Sequence, residues 1–155
     1  GESAGASHVA AAVLLRQFGV DAAVGVRGAV LASGPYDARL ERLARVPFGV
    51  ETPDPRNDAY FGTDDAAQLF AASIVELVDA RPLPLLISYA ERDLMQMQVQ
   101  AGELFARLTA RHGFTPELLC VRDQAIDSMV QSYRTYLQEF LDPNILNAYY
   151  QVAAA

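Results

Sequence analysis

Apolar positions along this chain follow two patterns, and their alternation sets the expected fold class. Three short stretches are almost continuously apolar: "RGAVLAS" at 27–33, "LPLLISYA" at 83–90 and "PELLCV" at 116–121. Gly34 and Pro35 end the first, and the charged "ERD" follows the second. Runs of this length, apolar at odd and even positions alike, read as strands buried on both faces. Other stretches carry a helical repeat. Residues 4–18 are rich in Ala and Leu and stop at Gly19, as a buried helix with a glycine stop would. Residues 94–111 place Leu94, Val99, Ala101, Leu104, Phe105 and Leu108 at helical spacing, and 126–141 reads as a further helix. Strand and helix in alternation predict an α/β fold, a mostly parallel sheet with helices on both faces. Between Tyr36 and Arg81 the pattern loosens: one short helix is expected at 38–45, then an excursion at 46–65 dense in Pro, Gly and Asp. Such an excursion either lines a substrate site or is a plain surface loop.

Composition narrows the functional classes. The chain has 155 residues, the size of one domain, and at 52% hydrophobic residues it has the means to bury a core. A net charge of -7, with only 12 Lys and Arg, argues against a nucleic-acid partner, which needs a cationic stripe. No apolar run reaches the length of a membrane span and no basic leader opens the sequence, so the chain reads as soluble, compatible with a cytoplasmic setting. Cys120 is the sole cysteine; it excludes an internal disulfide, and its place in "ELLCV" predicts a buried thiol.

Candidate chemistry begins at the first residues. "GESAGAS" contains G-x-S-x-G, with Ser3 between Gly1 and Gly5. That spacing suits a serine on a sharp turn from strand to helix, where small neighbours let the backbone pass closely. The turn needs a strand before it, and none is legible. Asp93 follows the second apolar run, and parallel sheets gather function at the carboxyl ends of their strands. It reads as a site carboxylate, as the N-cap of the next helix, or as both; Glu91 is a neighbouring candidate. The chain has two histidines. His8 falls in the first helix and is expected to pack or hydrogen-bond there. His112 falls at an exposed helix end, where a positive charge would favour the helix dipole. No His or Cys cluster has metal-ligand spacing, Asp64 and Asp65 read as a solvated turn or a cap, and no lysine-bearing phosphate loop follows a strand.

In this order the segments resemble the C-terminal half of an α/β-hydrolase, in the esterase and lipase branch that includes hormone-sensitive-lipase-like and small carboxylesterase-like proteins. "GESAGAS" resembles the nucleophile elbow, "GAVLASGPYD" the following strand and loop, and "PLLISYAERD" the strand whose end carries the acid of a triad. "GFTPELLCVRDQAIDSMVQS" resembles the last strand and the segment that delivers the histidine. The resemblance implies Ser3 as nucleophile, the Ala4 N–H as one oxyanion donor and Asp93 as the orienting acid. The base is absent: Ala125 stands where the histidine is expected. Two explanations stay open, an engineered His-to-Ala replacement and a natural pseudoenzyme that keeps the pocket. The resemblance further implies a partial domain over 1–155, with an upstream half supplied elsewhere, as a separate chain if need be. Without it, the strand at 27–33 is expected to expose a long apolar edge. A small ester or other acyl compound is the implied substrate, with no cofactor, and the oligomeric state is open.

Overall fold

Each apolar run contains one strand. A computed structural model of the chain describes residues 1–18, 25–39, 59–63, 65–79 and 83–125. Strands β1 (Ala29–Ala32), β2 (Leu85–Ala90) and β3 (Glu117–Val121) make a parallel sheet in the order β1-β2-β3. The register pairs Leu31 with Ile87 and Ile87 with Leu118, so these side chains share one face of the sheet. Val30, Leu86, Ser88 and Leu119 fall on the other.

Helices fill the spaces between strands, as the alternation predicts. The chain order is α1 (Ala4–Leu14), a 3-10 turn (Arg16–Phe18), β1, α2 (Ala66–Ala72), α3 (Ile74–Leu77), β2, α4 (Met95–His112) and β3. The first helix is shorter than the expected 4–18: Leu15 is extended, and a 3-10 turn replaces the last helical turn. Gly19 lies outside the described residues. Helix α4 ends as its sequence dictates, with Arg111 and His112 in the last turn and Gly113 beyond it at φ 69, the left-handed conformation glycine adopts without cost. Helices α2 and α3 are additions to the expected pattern. Asp65 caps α2 by accepting hydrogen bonds from the N–H groups of Ala67 and Gln68, both at 3.0 Å. Replacing Asp65 with Ala is expected to cost about 1 kcal/mol of unfolding free energy in urea titration; an unchanged midpoint would show that the cap is idle.

One core joins the helices to one face of the sheet. Ala6, Ala10, Val13 and Leu14 of α1, Ile74 and Val75 of α3, and Ala101, Leu104 and Leu108 of α4 pack against Leu31, Leu85 and Ile87. Small side chains at Ala6 and Ala10 let α1 lie close on β1. Leu104 and Leu108 are fully buried, each worth about 1.5–3 kcal/mol of apolar transfer. The opposite face carries a minor cluster of Ala32, Ala90 and Val121, and there Val30 is 44% and Leu119 42% exposed. The expectation of helices on both faces is therefore met on one face among the described residues. The predicted helix at 126–141 lies outside them, as do Tyr149 and Tyr150, residues 40–45 of the predicted short helix and most of the excursion at 46–65.

Two further expectations change. Alternate backbone groups of β1 point away from β2, and Gly1–Ser3 takes them: Gly1 N donates to Val30 O at 2.7 Å, Ala32 N to Gly1 O at 2.9 Å, and Ser3 N to Ala32 O at 2.9 Å. Glu2 thus bridges Ala32 in parallel, so a strand-like residue does precede Ser3, and the outer edge of β1 is paired at its carboxyl end. Cys120, expected buried, is half-buried, because β3 is among the more exposed elements of the sheet.

A buried polar network ties α3 and α4 to the segment after β1. Gln100, fully buried on α4, accepts from the N–H groups of Tyr36 and Asp37 at 2.6 and 2.7 Å. Asp37 holds Arg39 by two side-chain contacts and accepts from the Ser73 hydroxyl. Arg39 and Arg107 both reach Glu76 Oε1 at 2.8 Å.

Candidate active site

The first residues turn from strand pairing into helix within a single residue. Ser3 has φ 48 and ψ -127, a conformation that costs any residue with a side chain, and it immediately precedes α1. The backbone bonds of Gly1 and Ser3 to β1 hold it there. Gly1 is required by the same turn: a Cβ on it would overlap the carbonyl of Gly5. Gly5 itself has open space around it, so only the first of the two motif glycines answers to crowding. Ser3 is exposed and makes no side-chain cap bond to α1. Ala4, as the first helical residue, has no intrahelical acceptor for its N–H, and the positive end of the helix dipole lies at this turn.

Asp93 sits at the neighbouring strand ends. Its Oδ2 accepts from Ala90 N at 2.9 Å and from the hydroxyl of Ser33. The N-cap of α4 is Leu94, without a side-chain bond, so the alternative reading of Asp93 as that cap is overturned: its carboxylate turns back to the strands instead. Ser3 and Asp93 are thus anchored to adjacent residues, Ser3 through Ala32 O and Asp93 through Ser33 Oγ. Oδ1 of Asp93 has no hydrogen-bond partner among the described residues.

The loop after β3 is latched to the loop after β2. Glu91 N donates to Val121 O and Arg92 N to Gln124 O, both at 2.9 Å. The Glu91 carboxylate accepts from Asp123 N at 2.8 Å and from Arg122 at 3.1 Å. Asp123 takes φ 57 in this turn, and Ala125, exposed, is the next residue after Gln124. Glu91, considered as an alternative acid, is therefore occupied as the latch. The Asp123 N–H is the main cause that holds its carboxyl below the usual range, with the charges of Arg122 and Arg92 assisting against a smaller desolvation effect. A group with a lowered folded pKa contributes above its unfolded value, and the contribution is lost as pH falls through the folded one, so acidification removes the carboxylate's share of the latch and leaves the backbone pairings. Glu91→Ala is expected to speed amide exchange across 122–125 while β2 keeps its protection; unchanged rates would mean that the backbone pairings suffice.

Neither histidine hydrogen-bonds Ser3 or Asp93 among the described residues. His8 is exposed, and its Nε2 meets the Tyr60 hydroxyl at 2.9 Å, a hydrogen-bonding rather than a packing role. His112 ends α4, ahead of the amino end of β3; it is half-buried, where an exposed site was expected, while Gly113 after it is exposed. Asp65 is the cap described above, and Asp64 lies outside the described residues. Among the described residues no group of three or more His, Cys, Asp and Glu forms a metal-ligating cluster, and no helix is long and apolar enough to cross a membrane. Sequence reasoning did not single out Ser33; the small polar residue between the strand and Gly34-Pro35 was the available signal.

No family model matches the sequence, and no curated protein matches it. Among solved structures, the chain is similar to a protein from Silicibacter sp. TM1040 described as a "putative thioesterase", with a TM-score of 0.62 at 20% identity. The similarity covers 84% of this chain and 43% of that one, so the chain spans less than half the length of this neighbour. At that identity the likeness is one of fold.

Proposed function

We propose that the chain is the nucleophile-bearing half of an α/β-hydrolase-like serine hydrolase, acting on carboxylic esters or thioesters through an acyl-enzyme. The observation that carries this reading is the Ser3 turn: a serine at φ 48 and ψ -127, between a parallel bridge and a helix N-terminus. A serine hydroxyl is a weak nucleophile and needs a base, and the base needs a carboxylate to fix its tautomer. In this reading Ser3 attacks the acyl carbon, the Ala4 N–H receives the developing oxyanion, and Asp93 orients the base through Oδ1. The base would stand at residue 125. With a methyl group there, the chain retains binding and oxyanion stabilisation and loses most of its turnover. Leu94 and Met95, exposed immediately after Asp93, supply apolar surface for an acyl group.

The second oxyanion donor and much of the acyl pocket are proposed to come from the half of the fold that precedes the elbow, continuous with this chain or separate from it. The thioesterase description of the structural neighbour supports including thioesters beside esters. A second reading is favoured by one observation, the alanine at 125: a non-catalytic binding or scaffold protein that keeps the pocket. The test is Ala125→His together with the preceding half, assayed on a p-nitrophenyl ester. Turnover that Ser3→Ala removes supports the hydrolase; no gain favours the binding protein.

A further inference from the structure

We infer that Ser33 is a positioning residue that sets the rotation of the Asp93 carboxylate, a role that rests on the serine-hydrolase reading above. Ser33 is 1% exposed and directly follows β1. Its backbone N–H continues the sheet by donating to Ser88 O at 2.8 Å, and its hydroxyl donates to Asp93 Oδ2. The residue has φ 48, a conformation that glycine adopts freely and serine does not. Glycine would complete the same turn, so what serine adds at this position is its hydroxyl. With Ala90 N the hydroxyl supplies two donors to a single carboxylate oxygen. Two bonds from different strand ends fix the carboxylate plane, and they leave Oδ1 for the N–H of a base. One donor alone would let the group turn about its Cβ–Cγ bond. Ser33 also links the two halves of the site, because Ala32 beside it holds Ser3.

The experiment uses the Ala125→His background with the preceding half present. Ser33→Gly removes the hydroxyl and relaxes the backbone, Ser33→Ala removes the hydroxyl alone, and circular dichroism checks that both fold. Both are expected to lower kcat by about ten- to a hundredfold, the usual cost of losing an outer partner that orients a site group, with KM unchanged. Neither should lower it further once Asp93→Asn is present. An unchanged kcat, or a full loss on top of Asp93→Asn, overturns the assignment. If the parent variant has no turnover, the hydrolase reading falls, and Ser33 is then judged by the low-field imidazole N–H proton in NMR. That resonance should be present in Ala125→His, absent with Asp93→Asn and displaced in both Ser33 variants. Its absence from the parent, or an identical position in the Ser33 variants, overturns the proposal.

Discussion

Ala125→His is expected to raise p-nitrophenyl ester turnover by about 10⁴-fold or more, the scale of loss when one member of a serine triad is removed. The argument runs through three anchored positions. Ser3 is held by β1 backbone, Asp93 by Ala90 N and Ser33, and Gln124, beside residue 125, by Arg92 N. An imidazole at 125 has Asp93 Oδ1 to meet, the carboxylate oxygen without a partner among the described residues, and a bond there leaves its other nitrogen for the serine proton. The gain should grow with pH through ~6.5, as the imidazole loses its proton and becomes a base. Ser3→Ala in the same background should return the rate to the starting level. Gain without dependence on Ser3 would place the chemistry elsewhere and defeat the assignment.

The largest stability effect is expected at Asp37. Asp37→Ala should lower the unfolding free energy by about 1–3 kcal/mol, the cost of removing a buried acceptor from the Arg39 and Ser73 donors while Arg39 keeps its bond to Glu76. Asp37 is 2% exposed and accepts from Arg39 N, the Arg39 guanidinium and Ser73 Oγ. Burial alone would raise its carboxyl, but the bonds from Arg39 and Ser73 outweigh burial and hold it below the ordinary value. The sign follows: the contribution is present in full above the unfolded value of about 3.9 and is lost as pH falls through the folded one. Urea titrations should therefore find wild type and variant converging below pH ~4, and a gap that persists at lower pH would mean the loss comes from packing.

Much of this arrangement is legible in the sequence, for local reasons. The three strands announce themselves as apolar runs with turn residues or charges beside them, and the strand ends locate Asp93 without knowledge of contacts. Helix α4 is legible from Leu104 and Leu108 at their spacing and from Gly113 as its stop. Asp65 is legible as a cap, but the Pro, Gly and Asp residues around it hide the helix α2 that it caps. Other features arise from pairs far apart in sequence. Gln100 meets the backbone of Tyr36 and Asp37, and Arg107 meets Glu76; no periodicity reports such contacts. The role of Gly1–Ser3 as a partner for β1 is hidden for the same reason, since three residues are too few to show a strand pattern. The choice between the two readings of Asp93 needed its χ angles: the same residue before the same helix could have bonded forward to α4.

The Ser3 turn has a practical corollary. Its shape is imposed by main-chain bonds and by the missing side chain of Gly1, while the serine hydroxyl caps nothing. Exchanging that oxygen for hydrogen should therefore leave the contours of the surface intact and, on the proposed serine-hydrolase reading, make it inert. Such a variant is a natural bait for fishing native acyl compounds out of a metabolite extract, since on that reading whatever it retains cannot be consumed.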